Sequence, residues 1–206
     1  MGATDSAAPV AFMLDLAAAL DPLLDARHAR FEDGEETDDD VADTTLQLVF
    51  FDGEEAFKDW TARDSIYGAR HLAARWAGTY VLPERRRRLL APQMTELDGV
   101  EHLILLDLLG APQPLIQSAF ADTHWLFDAL AGAEARLRDA GLLLGPGGQK
   151  SVKPFVSWFL ARTANQYVGH IEDDHVPFVK RGVSTLHVIS NPFPRVWHTL
   201  KARLDD

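Results

Sequence analysis

"TLQLVFFDGEEAFKDW", residues 45–60, is the stretch on which the reading of the fold turns. Leu46, Leu48, Val49, Phe50 and Phe51 make its first half apolar on both faces, the pattern of a central parallel strand over 45–51. The run then breaks at Gly53 into a turn carrying Asp52, Glu54 and Glu55. Adjacent carboxylates at the end of a buried strand repel each other. They belong either in water or against something positive.

Helical patterns flank this strand. On its N-terminal side "DSAAPVAFMLDLAAAL" repeats Val10, Met13, Leu16 and Leu20 at helical spacing. Asp5 or Ser6 is a candidate cap, and Pro9 is tolerable in the first turn. Asp21–Pro22 offers a restart through residue 31. On the other side "DSIYGARHLAARWAG" predicts a second helix with Asp64 or Ser65 at its N-cap. "EHLILLDLLGAP", residues 101–112, predicts a buried strand ending in Asp107. "THWLFDALAGAEARLRDAG" predicts a third helix closed by Gly141, and "STLHVISNPFP" a last strand with a proline-rich exit. Strands alternating with helices imply an α/β layered sheet in a single domain over residues 1–206.

Composition narrows the partners. The formal net charge of −11 argues against non-specific binding to nucleic acid or acidic membranes. Eight acidic and no basic residues in "EDGEETDDDVAD", residues 32–43, predict a solvated acidic loop whose spacing fits no EF-hand. The Arg85–Arg88 run reads as exposed. Cysteine is absent, which excludes disulfides, thiol nucleophiles and cysteine-ligated metal. No run reaches about 18 uninterrupted apolar residues, so no membrane span is expected, and no export signal is visible. Compartment and oligomeric state are not legible.

Chemistry concentrates where the strands end: Asp52, Glu54 and Glu55 after the first, Asp107 after the second, Trp197 and His198 in the exit loop. Ligands of α/β sheets collect outside the carboxyl ends of strands, and Asp5 at a helix start could join them. Asp, Glu and His from separate elements suit a catalytic zinc with one open position. The neighbouring Glu54 would stay free as general base or acid. Ordinary loop polarity is the competing reading. His187 interrupts "STLHVIS" and needs a partner, which Asp173 could supply either as a structural hydrogen bond or as an orienting one. His175, after two acids, reads as their ion-pair partner. His28, His71, His102, His124 and His170 read as solvated.

Five segments in order, "GATDSAAP", "LQLVFFDGEEAFKDWTARDSIYGARHLA", "LILLDLLGAP", "EDDHVPFVKRGVSTLHVI" and "NPFPRVWHTL", resemble the glutaminyl-peptide cyclotransferases (glutaminyl cyclases) of the zinc-aminopeptidase-like superfamily. The resemblance implies a three-layer α/β/α sandwich around a mixed, mostly parallel sheet. It implies one zinc ion held by Asp5, Glu55 and His198, proton transfer by Glu54, and supporting catalytic roles for Asp107 and Asp173. Trp60, Phe193 and Trp197 correspond to pocket aromatics, although core packing would also account for them. The implied substrates are peptides or proteins with N-terminal Gln, or Glu, and the implied setting is secretory.

The chain departs from the family pattern in places. Glu172 stands where glutamine is usual, and Val10 where a cysteine often is. Strands and a His-Tyr-Asp-Ser motif that precede "GATDSA" in the family, and a helix that follows "VWHT", have no counterpart. The expectation is therefore an incomplete domain, truncated at both ends, with uncovered sheet edges and apolar helix faces. Two other functions fit the residues. One is a zinc aminopeptidase or peptide hydrolase of the same superfamily, and the other a non-catalytic fragment that binds zinc weakly or serves as an interaction module.

Overall fold

A computed structural model describes residues 2–35, 44–81, 93–143, 156–162 and 171–199. Residues 36–43 of the acidic loop, the Arg85–Arg88 run and His170 lie outside the described residues. Two strands are paired among those described: β1, Leu103–Asp107, and β2, Thr185–Ile189. They run parallel, with Leu105 opposite His187 and Asp107 opposite Ile189. Four helices accompany them: α1, Ala8–Glu32; α2, Tyr67–Gly78; α3, His124–Asp139; and the single turn α4, Val176–Val179.

Side-chain alternation along β2 builds a core on each side of the pair. Leu186 and Val188 pack with Ile116 and with Phe127 of α3. The other cluster joins Ile66, Ala69 and Ala73 at α2 to Val176 and Phe178 of α4, with Phe51 and Leu103 packed against it. Thr123, just before α3, donates its hydroxyl to the Thr185 carbonyl at 2.7 Å and ties that helix to the sheet. At the far end of α3, Gly141 adopts φ +67° and the Leu142 N–H reaches the Leu137 carbonyl at 2.9 Å. That is a Schellman closure, as the glycine predicted.

Residues 45–51 do not form the expected strand. No other described segment lies alongside to pair with their N–H and C=O groups, and a ladder needs that partner. Leu46 and Phe50 are exposed, and only Phe51 reaches the core, with its ring 5.7 Å from that of Phe178. Asp5 and Ser6 do not cap α1, which begins at Ala8 after a non-helical turn at those two residues. α1 continues through Pro22 without the expected restart.

Most of α1 is solvent-facing, including Phe12, Leu14, Leu23 and Phe31, and β1 exposes Ile104. The helical stretch Ala3–Glu32 is also long and apolar enough, by length and composition only, to cross a membrane. That differs from the expectation of no such segment, because the few acidic residues that interrupt the apolar runs do not break the helix. Core helices and signal sequences pass the same test.

α2 begins at Tyr67, so neither Asp64 nor Ser65 caps it. Asp64 instead accepts hydrogen bonds from the Tyr67 hydroxyl at 2.7 Å and from the N–H groups of Phe57, Lys58 and Asp59 at 2.8, 2.9 and 3.1 Å. These bonds, the Tyr67 one foremost, hold its carboxyl down at about 2. A carboxylate whose folded-state pKa lies below its unfolded value of about 3.9 stabilises the fold above that value, and the benefit fades as pH falls through the folded pKa. Asp64→Ala should lower the melting temperature at neutral pH. The gap from the parent chain should narrow between pH 4 and pH 2, as thermal melts across that range would register.

Candidate active site

The first turn of α2 positions the two glutamates. Its leading amides, Ile66, Tyr67 and Gly68, donate to the carbonyls of Glu54, Gly53 and Asp52 at 2.7, 2.7 and 2.9 Å. Helix-start donors that lack an intrahelical partner are thereby used to hold the acidic turn. The approach is close enough that a Cβ at Gly68 would lie 2.5 Å from the Asp52 carbonyl oxygen, so a side chain there would push the glutamates away. Gly110 does the same for Asp5. A Cβ at Gly110 would come within 2.7 Å of the Thr4 Cα, and its absence lets the Thr4–Ser6 turn sit against the segment after β1. Ser6 then donates its hydroxyl to Asp107 Oδ1 at 2.5 Å, and the Leu108 N–H donates to the same oxygen at 2.8 Å.

Asp5, Glu55 and His198 meet although they are far apart in the chain. His198 Nε2 lies 2.8 Å from Glu55 Oε1 and 3.5 Å from Asp5 Oδ2. One donor atom from each lies within 4.8 Å of the others, and the set is half open to solvent. Two carboxylates and an imidazole converging on one point, with one side open, match the donor chemistry of a catalytic zinc. The Trp197 ring stacks on His198 at 3.9 Å and meets Phe193 edge-on at 4.9 Å. These two aromatics therefore border the cluster. Trp60 contacts neither of them among the described ring pairs. Its indole N–H donates to Glu172 Oε2 at 2.9 Å.

Behind this cluster lies a buried second set. His187 Nε2 is 2.8 Å from Asp173 Oδ2, and both residues are enclosed. His175 is not at the surface beside its acids. It is fully buried, with its ring 4.5 Å from that of His187 and 5.5 Å from that of Phe120. Donor atoms of Asp173, His175 and His187 also lie within 4.8 Å of one another. Three other residues escaped the sequence reading. Ser6 was weighed only as a cap. His124, read as solvated, is half-buried with Nδ1 2.6 Å from Ser118 Oγ. Asp174 is buried, and among the described residues its Oδ1 has no hydrogen-bond partner. The "DD" doublet before a predicted helix was the signal available for Asp174.

Burial and crowding of carboxylates set the electrostatics. Glu54 is pushed up to about 9, first by burial and then by Asp173, Glu55, Asp174 and Asp107. Asp174 rises to about 7 by burial and the Asp173 charge. Asp107 rises to about 6, chiefly by burial and Asp173, against the Ser6 hydrogen bond. Asp5 is raised by burial and Glu55, partly offset by the His198 charge and a hydrogen bond from the Trp197 side chain. Among the described residues no Lys or Arg pairs with any of these acids. Only protons or a cation can balance so many carboxylates in this space, and a cation would pull every one of these pKa values back down.

Two carboxylates and an imidazole from three separate segments thus gather beside an α/β unit built on the parallel β1–β2 pair. The chain belongs to peptidase family M28, whose model matches residues 1–206. It is 43% identical over 200 residues to the glutaminyl-peptide cyclotransferase of Bos taurus, covering 97% of this chain and 49% of that protein. It is 39% identical over 201 residues to the glutaminyl-peptide cyclotransferase of Boiga irregularis, covering 98% of this chain and 49% of that one. The solved structure of Macrostomum lignano glutaminyl cyclase superposes with a TM-score of 0.73 at 39% identity, over 100% of this chain and 56% of that chain. The chain thus spans about half the length of the curated relatives it matches.

Proposed function

We propose that the chain is a glutaminyl-peptide cyclotransferase. In this reading residues 1–206 are part of a single catalytic domain of three-layer α/β/α type, and the enzyme converts N-terminal glutamine of peptides to pyroglutamate with release of ammonia. The observation that carries the reading is the convergence of Asp5, Glu55 and His198, in which the imidazole pairs with Glu55 and Asp5 and not with the adjacent Glu54 among the described residues. Asp5, Glu55 and His198 would hold one zinc ion. Bound there, zinc supplies Lewis acidity toward the γ-carboxamide oxygen of the substrate.

The chain's own groups do the rest. Glu54 takes a proton from the substrate's α-amine as the nitrogen attacks the γ-carbon. It returns that proton to the amide nitrogen that leaves as ammonia, so no water is consumed. At about 9 its carboxyl would be largely protonated at neutral pH, and a cation held at the neighbouring ligands would lower it into the range of a working base. Asp107, fixed by Ser6 and the Leu108 amide, is oriented to accept a hydrogen bond from the leaving nitrogen. Asp173, tied to His187, sets the field felt by Glu54 and Asp107. Trp197 and Phe193 form an apolar wall that favours a folded glutamine side chain, in which amine and amide carbon are already close.

The test supplies the zinc-loaded chain with a Gln-initiated peptide and, separately, with a chromogenic aminopeptidase substrate. Ammonia release with an intact, cyclised peptide supports the proposal. A freed N-terminal residue would move the assignment to a peptidase of the same family. No turnover by folded, zinc-loaded chain would reduce it to a binding module.

A further inference from the structure

The exposed side chains of Glu172 and Trp60 are joined by a hydrogen bond of 2.9 Å. Trp60 lies five residues beyond the candidate zinc ligand Glu55, and Glu172 immediately precedes Asp173, so their hydrogen bond links two site-bearing loops 112 residues apart. Asp173 is buried while Glu172 is exposed, which directs one acid inward and its neighbour to solvent. The Trp60 N–H takes up Oε2 and fixes the carboxylate; among the described residues no basic side chain pairs with it. The nearby Lys58 turns instead to Asp59 at 3.5 Å. Where the resemblance leads one to expect a neutral glutamine, this chain thus holds an anchored negative charge at the rim.

We propose that Glu172 is a specificity-determining residue that selects peptides carrying Lys or Arg directly after the N-terminal glutamine. The inference rests on the reading of the site as one that binds N-terminal glutamine. With the glutamine side chain among Asp5, Glu55 and His198, the rest of the peptide leaves over the exposed rim. The second side chain is the first group long enough to meet a carboxylate there. The acids of the interior and the net charge of −11 add a longer-range attraction for cationic peptides, which raises encounter rates and weakens with salt. An exposed pair of this kind contributes modestly, so the expected preference is about three- to fivefold.

The experiment compares Gln-Lys-Ala and Gln-Ala-Ala amides on the zinc-loaded chain and on Glu172→Gln, which keeps an acceptor for Trp60. Both affinity, by calorimetry, and kcat/KM are read at low and high salt. The expected result is a preference for the lysine peptide in the parent chain, mostly lost in Glu172→Gln and at about 0.5 M salt, where the screening length falls to a few ångströms. Equal affinity for the two peptides in the parent, or a preference that survives Glu172→Gln, overturns the proposal. A binding preference without turnover of either peptide keeps it and defeats the catalytic reading instead.

Discussion

Glu54→Gln should lower kcat for cyclisation by about 10²- to 10⁴-fold, the range that a positioned proton carrier contributes. Gln has nearly the same shape, and the main-chain hydrogen bond from the Ile66 amide to residue 54 at 2.7 Å does not depend on the side chain. Zinc affinity, melting temperature and KM should therefore stay close to those of the parent. A fall in kcat at constant KM marks a group that acts in the transition state and not in ground-state binding. The adjacency of Glu54 and Glu55 makes the outcome diagnostic, because only Glu55 lies against His198. Loss of zinc on Glu54→Gln would mean that the two glutamates have exchanged roles. Turnover within tenfold of the parent would pass the proton transfer to another acid, with Asp107 the first candidate.

The second large effect concerns His198. His198→Ala removes one of three donors and also the ring on which Trp197 stacks at 3.9 Å. Losing a residue that merely supports a ligand costs about 10- to 100-fold in metal affinity, so loss of the ligand itself should cost at least about 100-fold. A competition titration against a chromogenic zinc chelator reads this directly. Unchanged affinity in His198→Ala would place the ion elsewhere, and the buried trio Asp173, His175 and His187 offers the alternative.

Both expectations concern residues that the sequence already singled out, and the reason is physical. Polar residues that directly follow an apolar run stand out whether or not that run goes on to form a strand. β1 and α3 were legible on these grounds, from "LILLD" and from the helical spacing closed by Gly141. The need of a core histidine for a partner likewise pointed from His187 to Asp173. Residues 45–51 misled because an apolar run reports a preference for burial, whereas a strand also requires a neighbour to pair with. The caps misled for a related reason. Asp5 and Asp64 are residues that commonly cap helices, yet tertiary contacts claim both, Asp5 at the His198 cluster and Asp64 at the 57–59 turn. His175 and Asp174 were the hardest to read. Their character comes from burial between Phe120, His187 and Asp173, and none of those contacts has a local signature.

In the proposed function Asp5, Glu55 and His198 hold one zinc ion that the chain uses for cyclisation. The most direct measurement titrates zinc into metal-free chain while ammonia release from a Gln-initiated peptide is followed and the product is weighed by mass spectrometry. Activity should rise linearly and saturate at one zinc per chain, with a product lighter by one ammonia. Saturation only at two zinc ions per chain, with a free N-terminal residue among the products, would contradict that function.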